Sequence, residues 1–208
     1  MSSQSEKNAV ILAMSTVEAP VILELGAHLG EEYQWLSQLK PSKYVMVEPD
    51  PENYAKLSRI RDPIVSLTRG AISYWNKQDG DFYPAWNRES LNHASGSIRK
   101  PTGHLKHFPE VDFGHISIPF YTLEAIAALE ELYHIDLLWC DIQGAERDMI
   151  EGGRATLRKT RYMMIEAEPE VELYEGQALK PELIAMLPEW EIIKDFGYNL
   201  FMRNTKFA

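Results

Sequence analysis

Five short apolar runs punctuate this chain: VILEL at 21–25, YVMVE at 44–48, PIVSLT at 63–68, IDLLWCDI at 135–142 and YMMIEAE at 162–168. Runs this apolar suit strands covered on both faces of a sheet. Between them lie EEYQWLSQL, PENYAKLSRI, TLEAIAALEEL and AERDMIEGGRATL, whose apolar residues recur at the three-and-four spacing of a helix face. Alternating strands and helices predict a mostly parallel α/β sheet with right-handed crossovers. The end of the chain differs, because EWEIIKDFG followed by YNLFMR reads as two strands joined at a glycine turn. An antiparallel hairpin is expected to finish the sheet.

A length of 208 residues favours one elaborated domain over two independent cores, so a single domain is expected over 1–208. Residues 1–18 form an N-terminal extension whose polar start is expected to fray. Its apolar run, AVILAM, is too short for a secretory h-region or a membrane span. Residues 73–115 break the alternation, being rich in Gly, Pro, Asn, Ser and aromatics and too long for an ordinary connection. They are expected to add a hairpin, with a lid or substrate wall. The formal net charge of -10 opposes a nucleic-acid partner, since such binding is driven by Lys and Arg displacing counterions. The lone cysteine, Cys140, rules out an internal disulfide and fits a reducing compartment, most simply the cytoplasm.

The first strand runs into GAHLG, where glycine lets the backbone turn sharply and approach a ligand. A pyrophosphate loop would need the three glycines of G-x-G-x-x-G, whereas here only Gly26 and Gly30 are present. Glu24, just ahead of the turn, suits a cationic ligand better than a pyrophosphate. This favours S-adenosylmethionine, with its ammonium and sulfonium, over a nicotinamide dinucleotide. Glu48 ends the second strand and is placed to accept hydrogen bonds from two ribose hydroxyls.

Taken with LELGAHLG, VEPDPENYAKL, AIS, SGS before a downstream His, IDLLWCDIQGAERDMIEGG, YMMIEAE and FGYNLFMR, the chain resembles the FkbM-type S-adenosylmethionine-dependent methyltransferases over about residues 21–203. The resemblance implies a class I methyltransferase (Rossmann-like) fold: a doubly wound sheet of seven strands, the last antiparallel, with the insertion between strands 3 and 4. It also implies an O-methyl product. By position it places Glu24, Gly26 and Gly30, with Ala27 and His28 between the glycines, in the first cofactor loop. Glu48 and the adjoining Pro49 fall at the ribose, Ala71 and Ile72 near the adenine, and Asp141 beside the reacting methyl. The chain departs from the family pattern at His28, where an Asn is usual, and at Gln143, where a Glu is usual.

Methyl transfer to an alcohol needs alignment and a base for the hydroxyl proton. His104 is preferred as that base, since the resemblance places a His after the serine cluster. His93, His28 and Asp141 are the other candidates. Of the two acids that end the fifth run, Glu166 and Glu168, the one nearer its carboxyl end, Glu168, is chosen as a substrate contact beside Gln143. The spacing demands no metal. Neither an NPPY-type motif nor a Pro-Cys pair is present, which leaves a small hydroxylated acceptor such as a sugar or a secondary metabolite. A non-catalytic module that binds the cofactor and a nicotinamide-dependent oxidoreductase are the competing readings.

Overall fold

A computed structural model describes residues 2–88 and 94–207. Seven strands form one sheet: β1 (Val21–Leu25), β2 (Lys43–Glu48), β3 (Val65–Arg69), β4 (Ile135–Cys140), β5 (Thr160–Glu166), β6 (Trp190–Asp195) and β7 (Asn199–Asn204). Their order across the sheet is β6-β7-β5-β4-β1-β2-β3. The pairs β1-β2, β2-β3, β1-β4 and β4-β5 are parallel, while β7 runs antiparallel to both β5 and β6. The hairpin expected at the end of the sequence is therefore present, and β7 lies between β5 and the edge strand β6. Gly197 takes a φ of 95° in the connecting turn.

Strand side chains alternate between two cores. Leu23, Val45, Val47, Leu138, Cys140, Met163 and Ile165 face one side, and Ile22, Tyr44, Met46, Leu137, Trp139 and Met164 face the other. The second face is completed by a helix over Gln4–Met14, which buries Val10 and Met14. The expectation of a frayed start is thus corrected. Ser3 and Glu6 form a reciprocal capping box, and the apolar residues that follow give the helix a face to bury.

Helical segments match the expected positions but are shorter. Pro51–Leu57 starts on Asp50, whose carboxylate accepts from the backbone N-H of Glu52 and Asn53, with Pro51 fixing the first turn. AERDMIEGGRATL divides at its paired glycines into Glu146–Glu151 and Arg154–Arg158. After the glycine loop only Tyr33–Leu36 is α-helical, followed by a 3-10 turn over Ser37–Leu39 that stops where Lys40 turns left-handed before Pro41.

The insertion adds two small sheets. Ala71–Ile72 pairs in parallel with Ile116–Tyr121, which pairs antiparallel with Lys77–Phe82. Ala85–Asn87 pairs with Val111–Phe113. Phe82, Ile118, Phe120 and Ala71 form a satellite core for this layer.

Candidate cofactor and acceptor site

Strand order reverses direction between β1 and β4, and a crevice opens there at the carboxyl ends of the strands, the position at which open α/β sheets bind ligands. Backbone bonds lock its floor. Gly26 and Ala27 donate to the carbonyl of Val47, and Asp141 donates to that of Leu25. Gly26 has a φ of 80°, and a Cβ there would lie 1.8 Å from the Asp141 carbonyl oxygen, so β1 and β4 approach this closely only because the residue is glycine. Gly30, also expected at the cofactor, is not among the lining residues. It faces the side chains of Leu57 and Ile60 and lets the loop pack against the Pro51–Leu57 helix.

The crevice, with its open mouth, spans about 870 Å³. Glu24, Glu31, Glu32, Glu48, Asp50 and Asp141 line it, and among the described residues no Lys or Arg does. Burial pushes the Glu24 carboxyl well above the usual range, with Glu32, Glu31 and Glu48 adding to the rise. The Tyr44 hydroxyl, donating at 2.6 Å, acts in the opposite direction. Glu48 is pushed up to about 8, again chiefly by burial. Its Oε2 accepts from the His28 N-H at 2.7 Å and its Oε1 from the Asp50 N-H at 2.9 Å. The Asn53 side chain is a further hydrogen-bond partner, and since a carboxylate offers about four acceptor sites, Glu48 keeps capacity for one more donor.

His28 takes a φ of 48°. Its Nδ1 lies 2.8 Å from Glu31 Oε1, and its buried Nε2 has no partner within the protein. Burial alone would raise Glu31, but the hydrogen bonds from His28 and the Leu29 N-H hold it at about 2. Glu31 is thus the ionised acceptor, the hydrogen sits on Nδ1, and Nε2 is left as an unmatched polar atom in the wall of the crevice. Ala71, Ile72, Phe82 and Ile98 supply an apolar patch in the same wall. An apolar patch, an acceptor at Glu48, an orphaned ring nitrogen at His28 and acidic side chains with no Lys or Arg among the described lining residues together fit a cationic nucleoside such as S-adenosylmethionine.

The other expected residues divide as follows. Ala27, Pro49, Asp141 and Gln143 line the crevice. His104 does not: it is 5% exposed, with its ring packed against Phe108, Phe113 and Tyr174, so its Nδ1 is buried without a partner. Burial lowers its pKa. The structure thus places the expected base, His104, outside the lining of the crevice. His93 lies outside the described residues. Glu168 falls beyond the end of β5, where Pro169 cannot continue a ladder. Its carboxylate turns back to accept from the backbone N-H of Glu170 and Val171. Glu166, although not a lining residue itself, is tied to the crevice loop by accepting from the Gln143 side-chain amide at 2.9 Å.

Residues 94–98 of the insertion close one side of the crevice. Ser97 Oγ donates to the Gln143 backbone carbonyl at 2.7 Å, and the Arg99 guanidinium binds both oxygens of Asp148 at 2.9 Å. Sequence reasoning missed Glu31, Glu32, Asp50, Phe82 and Trp139 as lining residues. It also missed Glu146, which accepts from the N-H groups of Ile142 and Gly144 and so shapes the loop after β4.

Comparison with known proteins decides the family. The model of the methyltransferase FkbM domain matches residues 24–200. The chain belongs to the FkbM methyltransferase family. It is 36% identical over 203 residues to the 2-O-methyltransferase NoeI of Sinorhizobium fredii (strain NBRC 101917 / NGR234), covering 90% of this chain and 80% of that protein. Among solved structures it is similar in fold to the methyltransferase FkbM from Methylobacillus flagellatus KT, with a TM-score of 0.54, 13% identity and 89% of this chain covered. Monomeric WbdD is similar to the same degree, with a TM-score of 0.53, 10% identity and 99% covered. The chain spans 43% and 42% of those two solved chains. As an FkbM methyltransferase it is an S-adenosylmethionine-dependent O-methyltransferase, and the sequence reading of cofactor, reaction and seven-stranded fold is borne out. Among the described residues no helix is long and apolar enough to cross a membrane.

Proposed function

We propose that this enzyme methylates a hydroxyl of a small molecule, a sugar or a comparable polyol, bound between residues 94–98 and the loop Asp141–Gln143. The observation that carries this reading is the lining itself: acidic side chains with no Lys or Arg among the described residues reject phosphate-rich acceptors and suit a cationic methyl donor facing a neutral one. The 2-O-methyltransferase to which the chain is similar supports a hydroxyl as the target. Glu48 takes the ribose hydroxyls of S-adenosylmethionine, and Ala71, Ile72 and Pro49 take the adenine side. Gly26, Ala27 and His28, with Glu24 beneath them, take the methionine end. When bound, this group supplies a methyl on a sulfonium, already activated for displacement.

The protein then has to orient the hydroxyl, exclude water and receive one proton. Asp141 is the group for that proton, because it lines the crevice at the end of β4 and the aromatic packing around His104 keeps that ring out of the lining. One methyltransferase domain, with residues 73–115 as its acceptor wall, and a location in the reducing cytoplasm complete the reading. The buried lone thiol of Cys140 supports the latter. The test is a panel of free and glycosidic monosaccharides offered with S-adenosylmethionine. Release of S-adenosylhomocysteine with a mono-O-methyl sugar is the expected result, whereas release with only an amine, a carboxylate or a nucleic acid overturns the acceptor class.

A further inference from the structure

Asp141 does not stand alone. Residues Ile165 and Cys140 are in register on β5 and β4, so the next residue of each strand, Glu166 and Asp141, lie side by side at the carboxyl edge of the sheet. One amide joins them. Gln143 Nε2 donates to Asp141 Oδ1 at 2.6 Å and to Glu166 Oε2 at 2.9 Å, using both its hydrogens. Its Oε1 lies 2.9 Å from the Tyr174 hydroxyl, which also lies 3.0 Å from the Ser95 carbonyl. Gln143 is held at a φ of 52° with its own carbonyl bound by Ser97, so the amide is fixed from both ends. Two ionised carboxylates side by side on one neutral amide and within hydrogen-bonding reach of each other repel, and such a pair keeps one proton between its members.

We propose that Glu166 is a positioning residue that keeps this proton and donates it as a hydrogen bond to Asp141, aiming the ionised Asp141 at the acceptor hydroxyl. This inference rests on the methyltransferase reading above and adds a member that acts through Asp141. The surroundings agree. Burial pushes Glu166 well above the ordinary range, and Asp141 and Glu146 push it further, with Glu168 on its own segment adding to the rise. Glu146, raised to about 7 and buried, is committed to the N-H groups of Ile142 and Gly144. The neighbour across β7 is Asn199, an uncharged side chain that donates to Glu6. The thiol of Cys140 is held protonated by burial, as is the phenol of Tyr174.

Gln143 explains why the pair can exist here. A glutamate at that position would bring a third carboxyl against Asp141 and Glu166, and no amide donor would bridge them. In the reaction the hydroxyl O-H bond breaks and an O-H bond to Asp141 forms. The acceptor oxygen makes its bond to the methyl carbon as the carbon-sulfur pair returns to sulfur. The proton leaves Asp141 for solvent once the product departs, and Glu166 keeps its own proton throughout.

The test compares Glu166→Gln, which retains a donor at every pH, with Glu166→Ala, which has none. Without any cofactor, the protonated-carboxyl infrared absorption of the free protein near neutral pH should lose one component in Glu166→Gln, the components of Glu24 and Glu48 being retained. With a sugar acceptor, Glu166→Ala should lose about 10-fold in kcat or more, within the range for a group that assists proton transfer, with the KM for S-adenosylmethionine changed less than about 2-fold. Glu166→Gln should recover most of that loss and abolish the alkaline fall in kcat that the wild type shows when Glu166 ionises. An unchanged infrared band, or Glu166→Gln as slow as Glu166→Ala, overturns the proposal. Should Glu166→Ala not fold, the band and the alkaline limb in Glu166→Gln still decide. A failure of every sugar acceptor would sink the acceptor assignment instead, because the infrared band reads Glu166 without turnover.

Discussion

Gly26→Ala should abolish S-adenosylmethionine binding and lower stability by roughly 4 kcal/mol, at the severe end of single substitutions. Two costs combine. A side chain at a φ of 80° is strained by about 1–2 kcal/mol, and its Cβ would lie 1.8 Å from the Asp141 carbonyl oxygen, a backbone atom that cannot rotate away. Relief requires the ends of β1 and β4 to part. That separation breaks the Asp141 N-H bond to the Leu25 carbonyl, one of the bonds that shape the crevice. For a chain of this size the melting temperature should fall by roughly 10 °C. Gly30→Ala is the internal control, since its φ is almost the same but the new Cβ would meet a flexible Leu57 methyl at 3.1 Å. It should cost about 1–2 kcal/mol and leave affinity nearly intact. Calorimetric binding and thermal melting of the two variants side by side check this, and equal losses at both glycines would show that strain alone, not the β1-β4 approach, accounts for the effect.

Glu48→Ala should weaken S-adenosylmethionine about 100-fold, as expected for losing roughly 3 kcal/mol of hydrogen bonding to a charged acceptor. The same change strips the His28 and Asp50 N-H groups of their acceptor. The pH dependence follows from the shift of Glu48. Its carboxyl rises from 4.5 to about 8 on folding, so the folded free protein binds the extra proton in that interval. Its contribution to stability is therefore complete below about 4.5 and is lost as the pH rises through about 8. Glu48→Gln, which cannot ionise, should flatten that decline in melting temperature. Hydroxyl donors and a nearby cation favour the carboxylate, so cofactor affinity should rise over the same interval and level off above it.

How much of this was legible in the sequence depended on whether a function sits on one segment or is assembled from several. Glu24, Gly26, Glu48, Ala71 and Asp141 lie at strand ends, and a strand followed by a helix places its end in the crevice, so local pattern sufficed. The N-terminal helix was also written locally, as Ser3 three residues ahead of Glu6 before AVILAM, and was passed over because the segment looked polar. His104 misled for the opposite reason. Its neighbours in sequence are polar and basic, but its burial depends on Phe113 and on Tyr174, seventy residues away. The Asp141–Gln143–Glu166 cluster needs the register of β4 on β5, and a single apolar run does not state where its last inward side chain falls. Choosing Glu168 over Glu166 placed the strand end two residues late, at a proline the ladder could not include.

An acidic crevice with no Lys or Arg among the described residues is built for a cationic nucleoside. Calorimetric titration of S-adenosylmethionine into the wild-type protein near neutral pH, repeated in buffers of different ionisation enthalpy, tests it most directly. Binding should be accompanied by proton release, because a Glu48 raised to about 8 gives up its proton to accept the ribose hydroxyls. Binding of NAD in preference to S-adenosylmethionine, or binding of S-adenosylmethionine with no proton released, would contradict it.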